Sequence, residues 1–336
     1  MLPFSVLDLS LITQGATPAD AYRNTMDLAR LADALEFRRY WLAEHHSMPG
    51  IASAATAILI GQVAGVTKQI RVGSGGIMLP NHSPLIVAEQ FGTLETLFPG
   101  RIDLGLGRAP GADQRTAMAL RRDPHAPDRF PEDVVELLHY FEPADSVPHA
   151  VRAIPGCGLR VPVWILGSSL FSAVLAARLG LPYAFASHFA PGQMEEAIAL
   201  YRHRFEPSDR CASPHVMLTV NMVLADDAAE ANVLVTSLYQ YFLALRRGRP
   251  STFPPPDAGL ETRLPSQELA MLQHTLSCTF AGSQETVLPR LTEFLQRHRP
   301  DELMMAFPLY DHAARRRSVE LAAGLSPLVD AVFKAL

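Results

Sequence analysis

Short apolar runs and stretches with apolar residues three and four apart alternate along the chain from its first residues. Residues 4–9 form a short apolar run. Over 19–35 follows a helical pattern with Leu28, Leu31, Ala32 and Leu35 on one face. Strand-like runs recur at 39–43, 70–79, 101–106, 161–166, 183–186, 215–224 and 303–308. Helical stretches separate them at 54–66, at 85–97 (entered through Pro84), at 171–179 (stopped by Gly180), at 193–205 and at 226–245, with more helix after His312. Eight strands alternating with helices predict a parallel sheet, and the even number closes into a (β/α)8 TIM barrel. An open doubly wound sheet is the rival, but no Gly-x-Gly-x-x-Gly follows the first strand.

The length, 336 residues, suits one such domain over 1–336, and no linker interrupts it. Two segments exceed ordinary loop length: 109–129 after the fourth strand, and 246–265, with its run Phe253-Pro254-Pro255-Pro256-Asp257, after the helix that follows the seventh. The second is read as a long insertion near strand seven and a candidate lid over the rim where barrel active sites lie.

Composition narrows the class. Apolar residues make up 48% and charged residues 19%, enough for a large core and unlike a disordered chain. No apolar run is long enough for a membrane span, and the start has no basic leader, so a cytoplasmic protein is expected. A net charge of -5 argues against nucleic acid as a partner. Cys157, Cys211 and Cys278 fit neither a disulfide framework nor a zinc site.

In a parallel barrel the chemistry sits where strands end. The second strand runs into Glu44-His45-His46, and neighbouring residues on an extended chain face opposite ways, so His45 and His46 cannot both enter one site. The third holds Gly73, Gly75 and Gly76, which suit a ligand or another backbone in close approach, or a bulge. The fourth ends at Gly107-Arg108, and Arg108 offers a rigid multi-donor fork for a phosphate. The fifth leads through Ser168, Ser169 and Ser172 into a helix whose free N–H groups favour an anion. Arg108 and Ser168–Ser172 together read as a phosphate cradle. His188 adds a rim histidine after the sixth strand. A metal site from His45, His82 and Asp103 is conceivable, yet no established metal-ligand spacing supports it, and no metal is expected.

The segments Tyr40-Trp41-Leu42-Ala43-Glu44-His45-His46, Gly73 to Pro80, Pro99 to Arg108, and Gly167-Ser168-Ser169 with Ser172 resemble the bacterial luciferase-like flavin monooxygenases. Weaker similarity continues through Ala281-Gly282-Ser283 and Asp301-Glu302-Leu303. Within that family the pattern most resembles the single-chain branch that includes a monooxygenase of the mensacarcin polyketide pathway. The resemblance implies FMN, used as FMNH2, with its phosphate on Arg108, Ser168, Ser169 and Ser172. It places the flavin ring against Gly75 and Gly76 across a cis peptide, Glu44 beside the cofactor, and His45 as the catalytic histidine. Pro110 stands where luciferase offers a backbone N–H, and proline has none, so Gly111 and Arg108 are expected to do more. Glu36 stands where a helix-ending glycine is common.

The implied reaction is two-component oxygenation. A separate NAD(P)H-dependent flavin reductase supplies FMNH2, O2 reacts with it through a C4a-peroxyflavin, and a small organic substrate, such as a polyketide intermediate, is oxygenated. A homodimer through the early helices is the implied assembly. The alternatives are F420-dependent hydride transfer on the same fold and a flavin-binding protein without catalysis.

Overall fold

A computed structural model describes residues 2–108, 114–122, 128–144 and 151–334. Nine parallel strands are present: β1 (Phe4–Asp8), β2 (Arg39–Leu42), β3 (Arg71–Met78), β4 (Ile102–Gly107), β5 (Val163–Gly167), β6 (Tyr183–Phe185), β7 (Val216–Leu224), β8 (Thr279–Gly282) and β9 (Glu302–Ala306). Eight of them close a ring in the order β1 to β7, then β9, which returns to β1. The predicted barrel and its eight ring strands are therefore present, with β9 as the eighth.

One strand was not anticipated. β8 pairs with Asn221–Leu224, the distal part of β7, outside the ring. Its four residues carry one large apolar side chain, Phe280, against three in the equally short β2, and the nine-residue β7 leaves an edge for them. A second difference concerns the single helix expected over 226–245. The structure has Ala228–Leu234 and Thr236–Arg246 instead. At the break, the Thr236 hydroxyl donates back to the Val233 carbonyl and accepts from the Asp257 N–H at 2.8 Å, tying the long insertion to the helix pair.

That insertion reaches the rim, as its length suggested. Phe253 is buried against Tyr241, its N–H donates to the Ile12 carbonyl, and its carbonyl accepts from the Gln14 N–H. It thus packs over the loops that follow β1 and β2. Of the other long segment, a short helix at Gln114–Ala119 is described, while 109–113 and 123–127 lie outside the described residues.

Alternation along each ring strand sorts side chains into two layers. On β1, Leu7 points into the barrel, while Phe4, Val6 and Asp8 face the helices. The helix Pro18–Ala34 begins with a reciprocal capping box between Thr17 and Asp20 and buries Ala21, Thr25, Leu28, Ala29 and Ala32. Asp8 is fully buried at this contact. It accepts from Thr25 Oγ1 at 2.7 Å, Tyr40 Oη at 2.6 Å, the Ser10 N–H at 2.9 Å and Arg315 Nη2 at 2.7 Å. Burial alone would raise its pKa; the charge and hydrogen bond of Arg315 outweigh that and hold it below the usual value. Arg315 comes from the last helix, His312–Lys334, so one ionic contact joins both ends of the chain.

A second buried ionic cluster plugs the N-terminal end of the barrel. Asp103 receives Arg39 Nη1 at 2.5 Å, Arg71 Nη2 at 2.6 Å and Trp41 Nε1 at 3.1 Å, and Arg39 also reaches Glu302 at 2.9 Å.

Replacing Arg315 by Met leaves Asp8 as an unpaired buried carboxylate and is expected to cost about 3–5 kcal/mol in chemical denaturation. Glu36 takes the left-handed conformation, φ +59°, directly after the first helix. Glu36→Gly is therefore expected to stabilise by roughly 1 kcal/mol in the same assay.

Candidate active site

All ring strands run the same way, so their C-terminal ends share one rim, and the residues singled out by the sequence gather there. Asp103 is the exception. As the second residue of β4 it belongs to the plug at the opposite end, so the conceivable His45, His82 and Asp103 grouping does not exist.

The glycines of β3 mark a bulge. Register with β4 passes from Ser74↔Leu104 to Ile77↔Leu106, so Gly75 and Gly76 together face Gly105. The Gly75–Gly76 peptide is cis. A Cβ on Gly76 would stand 2.8 Å from the Gly105 carbonyl oxygen, and one on Gly75 would stand 2.7 Å from Leu7 Cδ1. The approach that demands glycine is thus to neighbouring protein, while the turn aims the next residues at the rim.

Glu44 is buried immediately after β2. Its Oε1 accepts from His46 Nε2 at 2.6 Å and His82 Nε2 at 2.9 Å, and its Oε2 accepts from the Met78 N–H at 3.0 Å. Burial pushes its pKa up, but these three hydrogen bonds bring it below the usual value, so the group is a carboxylate. It staples the exit of β3 to the exit of β2. The donor atoms of Glu44, His46 and His82 all lie within 4.8 Å of one another. Each residue is visible in the sequence but the set is not, because a helix and a strand separate Glu44 and His46 from His82.

His45 turns the other way from His46, as alternation required. Its Nδ1 is buried and has no hydrogen-bond partner among the described residues. Burial pushes its pKa down to about 4, partly offset by the neighbouring Glu44 charge. The imidazole is therefore neutral near pH 7, which is the form a proton acceptor needs. His188, after β6, has the same character: an unpartnered buried Nδ1 and a pKa pushed down to about 3 by burial and by the charge of His45.

Arg108 lies beside the helix that the serine turn begins. Arg108 is exposed directly after β4; its guanidinium lies 4.2 Å from the ring centroid of Phe171, in the first turn of the helix Leu170–Arg178, and its Nε meets Asp128 at 2.8 Å. Ser169 is the N-cap residue of that helix, yet its side chain makes no capping bond, so the first N–H groups are not satisfied by their own cap. Ser172 is buried, and its hydroxyl donates to the Ser169 carbonyl at 2.8 Å and lies 3.1 Å from Tyr183 Oη. It shapes the turn from inside. Gly111 and Pro110 lie outside the described residues.

Both histidines have folded-state pKa values below the unfolded value of 6.5, so the unfolded chain binds their protons more readily. Stability is thus expected to fall as pH drops from about 6.5 towards 4. In a histidine-ring NMR titration of the cofactor-free protein, His45 should have its midpoint near 4. A midpoint at the ordinary 6.5 would contradict the desolvated position described above.

The luciferase-like monooxygenase family model matches residues 2–302. A luciferase-like monooxygenase of Escherichia coli (strain K12) is 51% identical over 96% of both chains. The N-acetyl-S-alkylcysteine monooxygenase of Bacillus subtilis (strain 168) is 32% identical over 100% of this chain and 99% of its own. The crystal structure of apo-MsnO8 superposes with a TM-score of 0.90 at 35% identity, over 98% of this chain and 99% of that one, which supports the mensacarcin branch. In fold alone the barrel is also similar to an FMN complex of a type II Baeyer-Villiger monooxygenase from Pseudomonas putida (TM-score 0.72, 17% identity, 97% and 99% covered). The same holds for an F420-dependent secondary alcohol dehydrogenase (TM-score 0.72, 15% identity, 98% and 99% covered). The chain therefore belongs to the luciferase-like monooxygenase family, a family of oxidoreductases.

Proposed function

We propose that this protein is the oxygenating component of a two-component flavin monooxygenase. It takes FMNH2 from a separate NAD(P)H-dependent reductase and uses O2 to oxygenate a small organic substrate; a polyketide intermediate is one candidate. The observation that carries the reading is the position of Arg108: a guanidinium held over the uncapped start of the Leu170–Arg178 helix. Fixed positive charge stands there beside a helix start that lacks a side-chain cap, which suits the terminal phosphate of FMN.

Reduced FMN, when bound, supplies the two electrons and the activation of oxygen; the protein's share is placement and proton control. Arg108 would exchange its exposed contact with Asp128 for the phosphate, and the turn at Ser168 and Ser169 would donate to it. Ser172 would support that turn through its bond to the Ser169 carbonyl. Gly111 is kept as a proposed contact on the sequence pattern. Gly75 and Gly76, at the bulge of β3, would lie under the flavin ring, and the Glu44 staple would fix that edge. His45, neutral and desolvated, would hold or take a proton at Nδ1 beside the reacting centre. The proposed homodimer would cover Ile58, Ile86 and Leu97, which are 69%, 47% and 64% exposed on the helices Thr56–Val66 and Pro84–Leu97.

The competing assignment on this fold is hydride transfer with F420, and a flavin-binding role without catalysis is a third. Two variants separate them. Arg108→Ala should weaken FMN about 10- to 100-fold in a fluorescence titration while riboflavin, lacking the phosphate, binds unchanged. His45→Ala should keep FMN affinity and lose about 100-fold or more of FMNH2-dependent oxygenation. Equal loss of FMN and riboflavin in the first variant, or full turnover in the second, would remove these roles. Oxidation of F420H2 without oxygen uptake would favour the deazaflavin enzyme.

A further inference from the structure

β2 and β6 stand four strands apart in a ring of eight, so their C-terminal ends face each other across the full width of the mouth. Each is followed by a histidine at the same interval: His45 lies three residues after Leu42, and His188 three residues after Phe185. Both carry a buried Nδ1 that no hydrogen-bonding group of the described residues meets. The charge of His45, when it is protonated, lowers the proton affinity of His188.

The loop that presents His188 is firmly held. Its carbonyl accepts from Asn221 Nδ2 at 2.7 Å, and the same amide reaches Thr279 Oγ1 of β8 at 3.1 Å. The preceding Ser187 donates to the Thr219 carbonyl at 2.6 Å, and the His188 ring packs edge-on against Phe189 at 4.7 Å. The extra strand outside the ring therefore has a use, since it supplies one of the anchors of this loop. An unmet buried polar atom costs on the order of 1–3 kcal/mol. Two of them, after strands on opposite sides of the mouth, mark groups whose hydrogen bonding a ligand can complete. The inward-facing layer is apolar, from Trp41, Trp164 and Met304 to Leu166, Ala184 and Ala306.

We propose that His188 is a second recognition residue of the site, gripping with His45, from opposite sides, one uncharged hydrogen-bonding heteroatom of the substrate beside the atom to be oxygenated. The substrate's apolar body then rests on the inward-facing apolar layer. A neutral imidazole pair offers an N–H and a lone pair but no fixed charge. An anionic group at the same point would have to bring its own proton or stay unpaired in a desolvated space. The inference rests on the monooxygenase reading above and adds to it the substrate class and the residue that selects it.

2-(Phenylthio)ethanol, an uncharged thioether with a hydroxyl beside the sulfur and an apolar body, is the probe, and (phenylthio)acetate is its anionic counterpart. In the reaction followed, one oxygen atom of O2 bonds to sulfur. The other leaves as water with two protons, and FMNH2 is oxidised to FMN as it gives up two electrons. The full-length protein should oxidise 2-(phenylthio)ethanol with a kcat/KM more than tenfold above that for (phenylthio)acetate. His188→Ala should raise the KM for 2-(phenylthio)ethanol about tenfold or more, with FMN affinity within twofold of the parent. His188→Asn, which keeps a hydrogen-bonding group, should recover part of the loss, and thermal melts of both variants identify any loss of folding. A tenfold loss of FMN affinity at unchanged KM would overturn the proposal, as would unchanged values for both. Absence of 2-(phenylthio)ethanol oxidation by a parent protein that binds FMNH2 and takes up O2 would also overturn it, as would preference for the anionic probe. Failure of the parent protein to take up O2 with FMNH2 is a separate result, and it strikes the monooxygenase reading itself.

Discussion

Ring closure is the constraint on which the rest depends. β9 must pair with β1 on one side and β7 on the other, and β6 must reach β7, before the sheet has no open edge among its eight ring strands. Closure of parallel strands puts every C-terminal end on one rim. It also fixes which ends are neighbours and which are opposite. Arg108 on β4 and the serine turn after β5 become adjacent, so a cation and a helix N-terminus meet. His45 after β2 and His188 after β6 become opposite, so two imidazoles follow strand ends on facing sides of the mouth.

The polar groups at the two ends of the barrel are treated differently. At the N-terminal end, Asp103, Glu302, Arg39 and Arg71 satisfy one another in a buried plug. Between barrel and helices, Asp8 and Arg315 are equally complete, and they brace the first strand against the last helix. At the mouth, the Glu44 carboxylate is fully engaged, whereas the Nδ1 atoms of His45 and His188 are not. Buried ion pairs that are fully hydrogen-bonded specify a structure, while unmet polar atoms at a rigid rim are what a binding site leaves for its ligand.

Much of this was legible in the residues. Apolar runs bounded by glycine, proline or a charged residue located all eight ring strands, even the three-residue β6. β8 was hidden because Phe280 is its one large apolar side chain, and the break at Val235 by a threonine whose hydroxyl turns back on the helix. The proposed phosphate cradle was visible as two local signals, an arginine and a serine-rich helix start, each following its own strand. The Glu44, His46 and His82 network was not, since it depends on how the loops after β2 and β3 fold over the rim. Asp103 misled for the opposite reason: composition shows a carboxylate, but only its register on β4 shows which end of the barrel it occupies. For His188 the sequence supplied the position, and the unmet nitrogen and the opposing His45 came from the three-dimensional arrangement.

The central claim is that this barrel binds reduced FMN and directs its reaction with oxygen. Rapid mixing of the anaerobic protein–FMNH2 complex with O2, followed by flavin absorbance, tests it most directly. Binding in a desolvated mouth predicts that oxidised FMN reappears more slowly than from free FMNH2, and that Arg108→Ala restores the free rate at the same protein concentration. Reoxidation at the free rate by the unaltered protein, under conditions where FMNH2 is bound, would contradict the account.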